Sequence, residues 1–203
     1  MLDISARKLV DPILDKIAVV CIRLKITANA VTLIGFGFGV LACVAVSQGM
    51  LIPALVLMSV NRILDGLDGM IARRTVSGQL GGFLDIVCDF LFYSGYVFAF
   101  AVYRPEFALW AALLIYSFVA TGATFLTYAL FLEKNKHSIT ADPHKKSFFY
   151  IGGLAEGTET IAVFAAFTIF ADYFPQISAI FAGICWVTAL TRIYEGYKLL
   201  KNR

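Results

Sequence analysis

Asp65, Asp68, Asp85 and Asp89 lie in a stretch of chain otherwise apolar enough to cross a lipid bilayer. An ionised carboxylate costs about 2.5–3.5 kcal/mol at the centre of a membrane helix, and less near its end. Four carboxylates within reach of one another also repel. Any fold this chain adopts must therefore gather them around something cationic rather than leave them facing lipid. The cluster is a site by default, and the rest of the sequence decides its kind.

The surroundings are those of a multi-pass membrane protein. Of 203 residues, 60% are hydrophobic and only 15% charged, against about half and about a quarter in a soluble domain. A spanning helix needs about 20 mainly apolar residues. Six runs qualify, at about 29–48, 51–73, 82–103, 107–131, 155–172 and 176–194. They use most of the chain and leave no length for a separate soluble domain. The expected fold is all-α and integral to the membrane, one domain over 1–203.

Residues 1–26 are expected to form an amphipathic interfacial helix, not a cleavable signal peptide. Mixed charges (Asp3, Arg7, Lys8, Asp11, Asp15, Lys16) alternate there with apolar residues at helical spacing. Asp11-Pro12 would suit a helix start and so implies a kink or a late beginning. The four cysteines (Cys21, Cys43, Cys88, Cys185) are scattered, with neither zinc-site nor disulfide spacing.

The net charge of +3 is too small to suggest nucleic acid. Its distribution says more. Of the 17 Lys and Arg residues, 15 fall before span one, after span two, between spans four and five, or at the C-terminus. Arg62 lies inside span two, and the remaining loops hold only Arg104. The positive-inside rule then puts both termini and the aspartate cluster on the cytoplasmic side.

Spacing shows how the aspartates can meet. Positions three and four apart share a helix face. Asp65 and Asp68 end span two, Asp85 and Asp89 begin span three, and a turn with Ser77, Gly78, Gly81 and Gly82 makes the spans antiparallel neighbours. Two carboxylate pairs can thus face each other across the seam, with Gly66, Gly69, Gly81 and Gly82 removing bulk. All-oxygen ligands select hard cations such as Mg²⁺, Mn²⁺ or Ca²⁺, and two metals suit a diphosphate undergoing in-line displacement. Arg73, one turn beyond Gly69, suits phosphate oxygens. The other reading is a structural ion network with Arg62, Arg73 and Arg74. For Arg62 itself, pairing with a carboxylate is favoured over substrate contact.

The pattern Asp-x-x-Asp-Gly-x-x-Ala-Arg, seven residues, then Gly-x-x-x-Asp-x-x-x-Asp is complete from Asp65 to Asp89. It resembles the signature of the CDP-alcohol phosphatidyltransferases. Thr27-Ala28-Asn29-Ala30-Val31-Thr32 resembles that family's Thr-Pro-Asn-x-x-Thr segment, with alanine in place of proline. The resemblance implies six spans behind an interfacial helix, and two divalent ions, Mg²⁺ or Mn²⁺, on Asp65, Asp68, Asp85 and Asp89. It makes Asp89 the general base as well. It puts Gly69 and Arg73 on the cytidine diphosphate and Asn29 and Thr32 at the edge of the same pocket. It further implies a homodimer in a bacterial inner or cell membrane, with CDP-diacylglycerol as donor, a small alcohol as acceptor and cytidine monophosphate as product.

The acceptor is the least legible part. Lys145 and Lys146, in the segment between spans four and five, would attract an alcohol phosphate, which favours a phosphorylated polyol such as glycerol phosphate. Glu156 and Glu159 share a face at the start of span five and suit polyol hydroxyls or a cationic head group. Ordinary positive-inside charge and helix capping are the plainer readings of these residues. His137 and His144 read as loop residues, and the aromatics at run ends as interface anchors. A membrane prenyltransferase and a divalent-cation transporter are the alternatives from other classes.

Overall fold

The computed structural model describes residues 2–75, 79–134 and 154–201. Among them are seven α-helices, two single turns of 3-10 helix and no strand. The turn containing Ser77 and Gly78, and the segment carrying His137, His144, Lys145 and Lys146, lie outside the described residues.

Helix α1 (Leu2–Arg23) continues through Pro12, although the proline ring removes one intrahelical hydrogen bond. Leu14 and Ala18, four apart, are buried against Val31, Leu67 and Ile71. Ile13, Ile17, Val20 and Leu24 remain exposed. Asp15 accepts two hydrogen bonds from Arg74, each 2.7 Å, which ties α1 to the end of α3.

Helix α2 (Ala28–Ser47) starts where Thr27 caps it, its hydroxyl accepting from the Ala30 amide. One face carries Thr32, Gly35, Gly39, Ala42 and Val46, all buried. These small residues bring α2 close to two neighbours. A Cβ on Gly39 would stand 2.9 Å from the Phe92 ring and 3.1 Å from the Asn61 amide. Gly49, at φ +73, then reverses the chain into α3 (Leu51–Arg74). Helix α4 (Gln79–Tyr103) completes a three-helix unit in which α2 packs against both α3 and α4.

Helix α5 (Ala108–Lys134) packs on α4 and on α7 (Phe174–Lys201). Between them in sequence comes α6 (Gly157–Ile169), only 13 residues long. The helix of the fifth expected span, 155–172, is shorter than expected: α6 ends at Ile169 with Phe170 as its C-cap, a 3-10 turn covers Ala171–Tyr173, and α7 begins at Phe174. Helix α7 also runs beyond the expected limit of 194, with Lys198 and Lys201 in its last turn, where cations favour a helix C-terminus.

Among the described residues, four stretches are long and apolar enough to cross a membrane: Ala28–Ser47, Leu80–Tyr103, Pro105–Phe131 and Ala171–Lys198. Helix α3 carries Arg62, Asp65, Asp68, Arg73 and Arg74, which lower its mean hydropathy, and α6 is short. The bundle core at one end is aromatic. Tyr96 stacks on Phe164 (5.1 Å between ring centroids), Phe100 on Phe174 (4.8 Å) and Phe107 on Phe174 (5.2 Å). The aspartates occupy the other end.

Candidate metal centre and adjoining cavity

Helices α3 and α4 each pack on α2 rather than extensively on each other, so the expected direct seam between them is replaced by a space in which their carboxylates converge. One oxygen each from Asp65, Asp68 and Asp85 falls within 4.8 Å of the others. Asp68 is only 5% exposed, and the Thr32 hydroxyl donates to its Oδ2 at 2.5 Å. Thr32 is thus in direct contact with the carboxylate group. Three convergent, partly buried oxygens with no His or Cys among them suit a hard divalent cation. The donor chemistry therefore fits Mg²⁺ or Mn²⁺.

Asp89 stands apart from this trio. Its Oδ1 accepts from Arg62 Nη1 at 2.9 Å, and the same guanidinium nitrogen lies 3.6 Å from Asp65 Oδ2. The favoured pairing of Arg62 with a carboxylate is therefore present. It does not extend to a general neutralisation of the cluster. Arg74 points the other way, to Asp15, and Arg73 is exposed with Nη2 3.0 Å from the Met70 sulfur.

Gly69, Arg73 and Asn29 are placed by two close approaches. A Cβ on Gly69 would be 3.3 Å from Arg73 Nη1, so the missing side chain lets the guanidinium lie over the α3 backbone. A Cβ on Gly81 would be 3.1 Å from Asn29 Oδ1, which brings Asn29 to the start of α4.

A cavity of about 570 Å³ opens on the opposite side of Asp85 and Asp89, between α4, α5, α6 and α7. Its polar lining includes Asp85, Asp89, Tyr93, Thr121, Glu156 and Arg192. Glu156 occupies the N-cap position of α6, and just before it the Leu154 and Ala155 amides both donate to Thr188 Oγ1 on α7 at 3.1 Å. Arg192 donates to the Thr121 carbonyl at 3.2 Å, with its guanidinium 5.4 Å from the Phe125 ring centroid. Glu159 does not line this cavity.

Two of these residues escaped sequence reasoning. Arg192 reads as one more positive-inside residue at the end of a span. Tyr93 reads as one aromatic among many, although it sits one turn beyond Asp89, on the same face of α4. That spacing was the available signal for Tyr93. For Arg192 there was none without the fold, because its proximity to Asp89 depends on α7 packing beside α5.

The sequence matches the CDP-alcohol phosphatidyltransferase family over residues 25–193. It is 41% identical to the inner membrane protein YnjF of Escherichia coli over 203 residues, covering 100% of this chain and 98% of that one. It is 30% identical to the phosphatidylinositol phosphate synthase of Corynebacterium glutamicum, covering 80% of this chain and 72% of that one. To the archaetidylinositol phosphate synthase of Pyrococcus horikoshii it is 28% identical, covering 93% of each. The fold resembles the crystal structure of Mycobacterium tuberculosis phosphatidylinositol phosphate synthase with CDP-DAG bound, at TM-score 0.66 and 18% identity, over 92% of this chain and 94% of that one.

Proposed function

The chain belongs to the CDP-alcohol phosphatidyltransferase family, and from that premise we propose that it transfers a phosphatidyl group from CDP-diacylglycerol to a phosphorylated polyol. One observation carries the reading: Asp85 belongs to the three-carboxylate group and also, with Asp89, lines the large cavity. A donor held at the carboxylates and an acceptor held in the cavity would therefore meet at these two residues. Family membership sets aside the prenyltransferase and the cation transporter.

Asp65, Asp68 and Asp85 would hold Mg²⁺ or Mn²⁺, two ions with Asp89 completing the shell of the second, and the metal supplies charge neutralisation for a diphosphate. Arg73 and Gly69 receive the cytidine diphosphate, the arginine contributing a forked donor and the glycine room for approach. Asn29 and Thr32 border the nucleotide, and Thr32 also fixes the orientation of Asp68. Asp89 takes the proton from the acceptor hydroxyl. The acceptor oxygen bonds to the lipid-side phosphorus, the bond from that phosphorus to the bridging oxygen breaks, and cytidine monophosphate leaves with the electron pair. Positioning and electrostatics are the main demands of such a transfer.

For the acceptor, Arg192 in the cavity supports a phosphorylated compound, and Lys145 and Lys146 would add to its attraction. The relatives that make inositol phosphate lipids favour an inositol phosphate over glycerol phosphate. The six spans in this reading are α2 to α5, α6 with the 3-10 turn after it, and α7; α6 alone, at 13 residues, is about 20 Å long and reaches only part of the way across. By the rise of about 1.5 Å per residue, α3 is about 36 Å long, enough to cross a hydrocarbon core of about 30 Å. The exposed apolar side chains of α1 rest on the membrane surface. The termini and the aspartates face the cytoplasm by the distribution of positive charge, and the protein is a homodimer, as family resemblance suggests.

The test is to incubate purified protein with CDP-diacylglycerol, Mg²⁺ or Mn²⁺ and a panel of alcohols and alcohol phosphates. Release of cytidine monophosphate is measured and the lipid product identified by mass. Metal-dependent release with an inositol phosphate is expected, and chelation should stop it. No release with any acceptor would sink the function; release with only an unphosphorylated alcohol would sink the acceptor class.

A further inference from the structure

Arg62 lies outside the Asp65–Asp89 pattern, one turn before Asp65, yet it is the cation most firmly set among the carboxylates. Its side chain is 16% exposed. Nε donates to the Asn61 side-chain oxygen at 2.7 Å, and Asn61 in turn donates to the Gly35 carbonyl of α2 at 2.8 Å. The guanidinium carbon is 5.0 Å from the Phe92 ring centroid and 5.5 Å from that of Tyr93, both on α4. Nη1 donates to Asp89 Oδ1 at 2.9 Å and to the Tyr93 hydroxyl at 3.3 Å. A planar fork held by α2, α3 and α4 at once has little freedom to turn.

That arrangement has a consequence for Asp89. One of its oxygens is engaged by Arg62, while the residue lines both the narrow space among Thr32, Asp65 and Asp68 and the large cavity. Without Arg62, the Asp89 carboxylate, just over one helix turn from Asp85 along α4, would be free to rotate further into the carboxylate group. We infer that Arg62 is a positioning residue: by gripping one oxygen of Asp89 it fixes the direction of the other, between the carboxylate group and the acceptor cavity, and its own charge offsets part of the negative charge presented to the metal. This rests on the proposed function for the role of Asp89, but not for the charge effect of Arg62.

The two parts predict opposite signs. In Arg62→Met the side chain keeps an apolar stem but loses the charge, the fork and the guanidinium that lies over Phe92 and Tyr93. Turnover should fall about a hundredfold, the size of effect seen when one fixed polar group is lost from a reacting site, with the acceptor KM changing less than about threefold. Mn²⁺ binding should tighten severalfold, because a cation has left the neighbourhood of the metal. It is read by paramagnetic resonance of free Mn²⁺ titrated with the full-length protein in detergent. Arg62→Lys, which restores charge without the fork, should return Mn²⁺ binding to the wild-type value and recover at least tenfold of the turnover. Thermal melting of each variant checks that the protein is folded.

Turnover of Arg62→Met within threefold of wild type would overturn the inference. So would weaker Mn²⁺ binding in step with a lower melting temperature, or a lysine variant no better than methionine, since those are the marks of a merely structural residue. If the wild type releases no cytidine monophosphate with any acceptor, the function fails instead. The Mn²⁺ titration still decides whether the charge of Arg62 acts on the metal.

Discussion

The two ends of this bundle use the same helices for different purposes. Helix α4 contributes Asp85 and Asp89 at one end and Tyr96 and Phe100 at the other. At the aromatic end the side chains are large, dry and interlocked: Tyr96, Phe100, Phe164, Phe167 and Phe174 are fully buried, and Tyr96 shares a 2.8 Å hydrogen bond with Thr168. At the aspartate end a smaller aliphatic cluster of Leu14, Val31, Leu67 and Ile71 packs beside the carboxylates, and like charges crowd within 4.8 Å. Lipid gives helices no hydrophobic reason to associate, so dispersion contacts at the first end must hold together what repulsion at the second opposes. Stability and chemistry are thus segregated along the helix axes, and substitutions should affect one without the other.

The largest effect should come from the carboxylates. Asp68→Asn or Asp85→Asn is expected to lower the rate of cytidine monophosphate release by at least about a thousandfold, the equivalent of several kcal/mol of transition-state stabilisation. The melting temperature should hold or rise, since removing one of several like charges relieves repulsion. A large drop in melting temperature would place these residues in the structural framework instead.

The reverse case is Phe167→Ala. Phe167 makes ring contacts with Tyr96, Phe100, Phe164 and Phe174 at centroid distances of 6.3, 4.9, 5.2 and 5.0 Å. Truncation should cost about 3 kcal/mol of stability through lost contacts and a cavity, read by unfolding in mixed detergent. Turnover per folded molecule should stay within about threefold. Loss of turnover at full stability would show that the ends are coupled.

Gly39→Ala probes the boundary. Its Cβ would meet both the Phe92 ring, from the aromatic side, and the Asn61 amide that supports Arg62. An overpacked contact of this kind costs about 1–3 kcal/mol, and here turnover and stability should fall together. Thr32→Val is narrower. It removes the donor to Asp68, and a hydrogen bond to a charged group is worth about 1.5–3 kcal/mol. The expected result is about a tenfold loss of rate, or a weaker metal requirement, with little change in melting.

The same division explains what could be read from the sequence. The carboxylates were legible because helix periodicity alone puts residues 65, 68, 85 and 89 on facing stripes, and because apolar flanks leave them nowhere else to go. The choice of Asp89, not Asp85, as the partner of Arg62 was not legible. It depends on how α4 is placed on α2, where the Phe92 ring sits against Gly39. The break at Phe170 also escaped, because an apolar run does not reveal where a helix stops inside it. At the aromatic end the sequence supplied composition without geometry: Phe and Tyr are abundant, and interface anchoring was the natural reading. Of the run Tyr173-Phe174 read that way, only Tyr173 is exposed; Phe174 is buried inside the bundle with Tyr96, Phe100, Phe164 and Phe167, which that reading did not cover.

The smallest effect should come from outside both ends, at the pair that fastens α1. Asp15 and Arg74 are joined by two 2.7 Å hydrogen bonds, but their side chains are 39% and 45% exposed. A solvent-accessible pair contributes about 0–1 kcal/mol, and salt weakens it. Leu14, buried against α3 beside Gly66, anchors α1 independently. Arg74→Ala should therefore lower the melting temperature by only a few degrees, less at high salt, and leave turnover within twofold. Exchanging the charges in Asp15→Arg with Arg74→Asp should recover what is lost. A loss of turnover that the exchange restores would mean that α1 positions the aspartate helix, and the division of labour would then extend to three regions.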